Sequence, residues 1–293
     1  MVRAVLPPPV GAGAMFFRRV RSRLWLYALV LLVWAGYAWL ASAGGLDDWP
    51  SYGWFHDLQA DAFRQGKLSL PIEPAPELLR AKDPYDRVNE PHWVLDASYH
   101  DGKYYAYWGP VPALLLAAAK SLLGINRTIG DQYIQFFFVC FGFACGAFLI
   151  ERIARQLIGG ISKPLVALGI LVFAAANPTP HGIATPSTYL TAIVAAQAWL
   201  VAGLVVAFDA VWRAGTTRAR AFRVLLAGIL WSLALASRVT VAPAILVFIV
   251  AGAWAVGFAE PERRLRRFVT NGLLLGVPVA LTGCALLVYN KLR

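Results

Sequence analysis

The chain has few cysteines and few acidic residues, and each shortage excludes some classes of protein and of binding partner. Its 293 residues include three cysteines, Cys140, Cys145 and Cys284, all within apolar stretches. Their spacing fits neither a disulfide framework nor a metal finger, so buried thiols are expected. Lysine and arginine total 27 against 16 acids. These positive charges flank apolar runs and do not line one face, which argues against nucleic acid and for anionic membrane lipids as partners.

Apolar residues, in contrast, make up 59% of the chain. A soluble domain of this length does not need so much apolar surface, so the composition predicts an all-α, polytopic helical membrane protein. Eight apolar runs are visible: Leu24–Ala43, Val111–Leu123, Tyr133–Ile150, Pro164–Ala176, Leu190–Trp212, Val224–Ala236, Val241–Phe258 and Leu273–Tyr289.

Four basic clusters predict which runs cross the membrane. They are Arg18–Arg23, Arg152–Lys163, Arg213–Arg223 and Arg263–Arg267. Basic residues beside membrane spans stay preferentially in the cytoplasm. All four clusters lie inside if Val111–Leu123 rests in the outer interface, where Lys120 is also better tolerated than in hydrocarbon. This predicts seven crossings, with the N-terminus inside and the C-terminus outside.

The predicted organisation has four parts. A cytoplasmic tail, 1–23, precedes a first transmembrane helix, 24–43. A large outer loop with interfacial helices, 44–131, leads into a six-helix transmembrane bundle, 132–293. The outer loop holds 12 of the 16 acids and three of the four histidines. Within it, the apolar stripe of Trp54–Gln65 predicts a helix that ends at Gly66, and Asp101-Gly102 predicts a tight turn.

Several segments resemble the first outer loop of bacterial C-type glycosyltransferase-like membrane proteins. This group is related to the protein mannosyltransferase and aminoarabinose transferase superfamily, and the chain resembles its N-terminal half. The resemblance implies a helical core in the bacterial inner membrane. It also implies sugar transfer from a polyprenyl-phosphate donor to an envelope acceptor at the periplasmic face. The matching segments are Asp61–Leu70, Asp83–Asp86, Asp101–Tyr105, Gly109–Leu114, Ala236–Arg238 and Tyr289-Asn290.

Such transfer needs a general base for the acceptor hydroxyl and positive charge beside the departing phosphate. Asp48 and Asp61 are the candidate catalytic carboxylates. A divalent cation beside the phosphate is an open alternative to a basic side chain, although adjacent acids such as Asp47-Asp48 are a weak metal signal. The histidines lack metal-site spacing. The candidate substrate-binding residues are Asp101, Lys103, Tyr105 and Arg238. Replacing either Asp61 by Asn or Arg238 by Gln is expected to abolish transfer and leave the protein inserted.

Two other functions fit the same sequence. A non-catalytic paralogue or partner subunit is favoured by Ser51 and Ser187, which stand close to where superfamily enzymes carry acids. A transporter or lipid flippase ranks below it, because such proteins place ionisable residues at mid-membrane and often carry internal repeats. Asp209 is the only acid within a predicted span, and it lies near the inner end of that span.

Overall fold

The structure is a computed structural model that describes residues 23–51, 53–257 and 264–292. The predicted tail, 1–23, therefore lies outside the described residues except for Arg23. The helices are α1 (Leu24–Ala41), α2 (Phe55–Arg64), α3 (Pro76–Arg80), α4 (Val111–Leu123), α5 (Asp131–Ile153), α6 (Lys163–Ala175), α7 (Thr179–Ala184), α8 (Thr188–Trp212), α9 (Thr217–Ser237), α10 (Ala242–Gly257) and α11 (Arg264–Leu292). Strands β1 (Ala97–His100) and β2 (Lys103–Ala106) form one antiparallel hairpin.

The predicted class is confirmed. Six helical segments of the described chain are long and apolar enough to cross a membrane. They comprise α1, α5 with its π-helical extension to Ile158, α8, α9, α10 with the preceding turn from Val239, and α11. The protein is therefore an all-α, multi-pass membrane protein.

Side-chain contacts define two ends of the helical bundle. Thr188 at the start of α8 donates a hydrogen bond to Asp131 at the start of α5. Arg152 near the end of α5 pairs with Asp209 near the end of α8. The two helices are therefore parallel. We call the end where they begin, next to residues 44–131, the loop end, and the opposite one the arginine end.

Because α5 and α8 are parallel, residues 159–187 must return from the arginine end to the loop end. The predicted crossing at Pro164–Ala176 is the 13-residue helix α6, which is about 20 Å long and too short to span alone. Helix α7 completes the return, and Gln135 near the start of α5 donates a hydrogen bond to its Gly182 carbonyl (2.6 Å). Counting this return, the described chain passes seven times between the two ends.

Residues 44–131 pack onto the loop end. Gly109 lies against the end of α9, and the amide of Asp131 donates to the Gly53 carbonyl (3.0 Å). Helix α4 therefore starts and finishes at the same end of the bundle. Beside it, α2 confirms the helix predicted from Trp54–Gln65, and Asp101-Gly102 is the hairpin turn, with φ of 44° and 72°. Positive φ at both turn positions is the geometry that favours a two-residue hairpin.

Candidate functional site at the loop end

Arg238 lies at the centre of the loop end because a neighbouring loop fits tightly against α9. A Cβ atom added to Gly109 would lie 2.2 Å from the carbonyl oxygen of Ala236 and 2.6 Å from that of Ser237. Only glycine permits this approach. The preceding residue, Trp108, is thereby held beside Arg238, where α9 ends.

The guanidinium of Arg238 contacts two aromatic rings that also contact each other. Its Cζ lies 4.5 Å from the ring centroid of Tyr189 and 5.3 Å from that of Trp108. The two rings meet edge to face, with centroids 5.1 Å apart. Its Nε donates to Thr240 Oγ1 (3.0 Å), whereas Nη1 is buried with no hydrogen-bond partner among the described residues. The arginine is thus held in place by cation–π contacts and keeps donors for an anion.

Asp96 is the acidic group on the same side of the site. It is exposed, and its backbone adopts φ of 61°. Partial burial raises the pKa of Asp96, and the Asp131 carboxylate raises it further, while His56 and the indole N–H of Trp108 act in the opposite direction. The indole N–H of Trp108 is close enough to stabilise the ionised form of Asp96, although it makes no well-formed hydrogen bond to a described residue. An accessible carboxyl with a raised pKa suits a general base.

A buried dyad lies beneath these residues. His56 Nδ1 is 3.2 Å from Asp131 Oδ1, and each side chain is only 1% exposed. Asp131 also accepts the hydroxyl of Thr188. With Asp131 ionised, the proton of a neutral His56 belongs on Nδ1, so Nε2 carries the lone pair. Nε2 is buried and has no hydrogen-bond partner among the described residues. The dyad joins α2, α5 and α8, and its partner Thr188 is the chain neighbour of Tyr189, which contacts Arg238.

A second buried charge cluster joins α2 to α4. Lys120 Nζ lies 2.9 Å from Asp57 Oδ1 and 2.9 Å from Asp61 Oδ1. Burial by itself would lower the pKa of Lys120, but hydrogen bonds from the ammonium to these carboxylates outweigh burial and raise it. Asp57 also accepts the amide of Ile129 (3.0 Å). The sequence favoured Lys120 at the membrane surface; the structure buries it, because two carboxylates one helical turn apart neutralise it.

The residues predicted from sequence fall in separate places. Asp61 pairs with Arg64 (3.3 Å) as well as Lys120, so it has a structural task. Asp48 is exposed on the chain that follows α1. Asp101 is 87% exposed at the hairpin tip beside His100. Lys103 and Tyr105 follow on β2, exposed and half-buried respectively. Of the predicted set, Arg238 is the one at the centre of the loop-end site. Among the described residues, no hydrogen bond or ion pair joins Arg238 to any other residue of the predicted set.

Sequence reasoning missed Asp96, Trp108, Asp131, His56 and Tyr189 as one group. One signal was available: Trp108-Gly109-Pro110 precedes an apolar run, and Ala236-Ser237-Arg238 follows another, but nothing in the sequence pairs them. In the described part of the chain, no group of three or more histidine, cysteine or acidic side chains is placed to hold a metal ion. The loop-end site offers Arg238 as a positive charge.

Comparisons with known proteins add no further assignment. Scans against protein-family models, curated proteins and solved structures find no match to this chain.

Proposed function

We propose that this protein is a membrane glycosyltransferase of the C-type architecture that transfers a sugar from a polyprenyl-phosphate donor to an envelope acceptor. The observation that carries the proposal is Arg238, which contacts Trp108 and Tyr189 and whose buried Nη1 has no hydrogen-bond partner among the described residues. The guanidinium of Arg238 and the accessible carboxyl of Asp96 both lie near Trp108, and together they match the two demands of the reaction.

In the proposed reaction, the acceptor hydroxyl attacks the anomeric carbon of the sugar while Asp96 takes its proton. The bond between that carbon and the phosphate oxygen breaks, and its electron pair stays on the lipid phosphate. Arg238 stabilises this growing negative charge. The dyad of His56 and Asp131 positions α2 against α8 and so fixes the aromatic partners of Arg238. Asp48 and Asp61 stay predictions from sequence for the base.

An apolar cavity supports a lipid-linked donor. It has a volume of about 510 Å³ and lies between α1, α5, α6 and α8. Phe138, Phe143 and Phe173 line it, and so does Leu190, the neighbour of Tyr189. A polyprenyl chain entering there would remain in apolar surroundings while its phosphate reached towards Arg238.

We further propose a bacterial inner-membrane location, with the N-terminus in the cytoplasm and residues 44–131 in the periplasm. The grouping of Arg23, Arg152, Arg155 and Arg213 around one cavity supports this orientation, because basic residues favour the cytoplasmic side. Lys103 and the hairpin would then face the periplasm with the donor's sugar.

The test uses the full chain in proteoliposomes with decaprenyl phosphate carrying radiolabelled mannose or glucose, and an envelope extract as acceptor. Arg238→Gln is expected to reduce label transfer about 100-fold, the typical effect of losing one fixed donor to a developing oxyanion. Arg218→Gln, an exposed change at the start of α9, is the matched control. Label transfer by Arg238→Gln at the wild-type rate would contradict the proposal.

A further inference from the structure

Two adjoining cavities at the arginine end concentrate positive charge. One has a volume of about 340 Å³ and is lined by Arg23, Arg152, Arg155, Gln156, Asp209 and Arg213. The other, of about 300 Å³, is lined partly by Glu151, Gly160, Lys163 and Val166. Arg23 and Arg155 line both. Together the two cavities present five basic side chains and only two acids.

The two acids hold the arginines in place without exhausting their donors. Glu151 pairs with Arg23 (3.1 Å) and with Arg155 (3.6 Å). Asp209 is shared between Arg152 and Arg213. Each guanidinium has five N–H donors, so most of them are left for another ligand. The Nε of Arg23 is buried and has no hydrogen-bond partner among the described residues.

The backbone around the second cavity also departs from regular geometry. Helix α5 ends in a π-helical turn, Ala154–Ile158, a feature that often marks functional positions. Gly159 and Gly160 follow, both with φ of 64°. This left-handed pair turns the chain sharply, so that Arg155 before the turn and Lys163 after it line the same cavity.

The lining of the second cavity indicates what kind of anion fits. Trp25, Ile161 and Val166 lie beside the basic groups. Inorganic phosphate has no apolar group that could contact these side chains. A phospholipid does, because its glycerol and acyl region lies next to its phosphate. The cavities also open among the ends of helices that are long and apolar enough to cross a membrane, and the ends of such helices lie near lipid headgroups.

We propose that the arginine-end cavities bind the headgroup of an anionic phospholipid. Its phosphate accepts hydrogen bonds from Arg23, Arg155 and Lys163, and its glycerol region contacts Trp25 and Val166. This site is separate from the loop end and does not depend on sugar transfer.

The experiment is native mass spectrometry of the full chain in detergent with added cardiolipin, and phosphatidylcholine as the zwitterionic comparison. Wild type is expected to retain cardiolipin selectively. Arg155→Gln with Lys163→Gln should weaken this binding about thirtyfold, taking roughly fivefold for each basic side chain near the membrane surface. The control, Arg218→Gln with Arg266→Gln, removes the same charge from exposed positions that do not line the cavities.

The outcomes are distinct. Selective loss in the cavity variant supports the proposal, provided that gel filtration shows both variants folded. Equal loss in both variants would mean that cardiolipin binds the basic surface in general, which overturns the site. Unchanged binding in both also overturns it. Displacement of cardiolipin by millimolar inorganic phosphate would assign the cavities to free phosphate and would overturn the proposal that they bind a lipid.

Discussion

Replacing Lys120 by Met should loosen α2 from α4 by an amount that the structure allows us to estimate. Met keeps the length and packing of the side chain but removes its charge. Asp57 is only 3% exposed, so its carboxylate would lose its partner in a dry environment. Breaking a buried pair in this way costs about 3–5 kcal/mol. Asp61, at 36% exposure, can be hydrated and adds little.

The assay is amide hydrogen exchange of α2 and α4 in the detergent-solubilised chain. A loss of about 3 kcal/mol corresponds to roughly 150-fold faster exchange through local opening, at 1.36 kcal/mol per factor of ten. Adding Asp57→Asn to Lys120→Met removes the uncompensated charge and should recover most of the protection. Lys67→Met, an exposed change just after α2, is the control. Exchange at the wild-type rate in Lys120→Met would refute the buried ion pair.

Three further predictions follow from the packing and charges. Transfer activity should fall as pH drops through the pKa of Asp96, which is raised above its ordinary value of 3.8, because the base must be ionised to accept a proton. Asp96→Asn should abolish transfer. If the residual activity of Asp96→Asn fell with pH in the same way as that of wild type, Asp96 would be excluded as the base. Gly109→Ala should displace Trp108 and lower transfer by about tenfold or more, measured by the same label-transfer assay. Gly203→Ala, whose Cβ would lie 2.3 Å from Trp231, should lower the thermal midpoint, while Gly276→Ala, with open space around it, should not.

The ion pair of Lys120 also has a defined pH dependence. Its pKa is raised in the folded protein, so its stabilising contribution is complete below the unfolded value of 10.5 and is lost as pH rises through the folded value. Between neutral pH and pH 9 the protection of α2 and α4 should therefore stay constant. A decline within that range would mean that the carboxylates do not hold the ammonium.

Local features of the loop segment were predictable because short-range rules produce them. The apolar stripe of Trp54–Gln65 predicted α2, and the sequence Asp101-Gly102 predicted a two-residue turn. The crossing at Pro164–Ala176 was also visible as an apolar run. The sequence did not show that residues 159–187 would divide into α6 and α7. That division depends on the parallel packing of α5 and α8, which requires the chain between them to run from the arginine end back to the loop end.

The amino-acid sequence alone determined the membrane class, because only a lipid-exposed bundle can accommodate so many apolar side chains. It also singled out Arg238, since a charge that interrupts apolar residues is costly without a task. Tertiary structure alone decided the partners: Lys120 with Asp57, and His56 with Asp131, 75 residues away. It also placed Arg238 in contact with Trp108 and Tyr189. Such contacts join residues far apart in the chain, and helical periodicity does not specify which faces of distant segments meet.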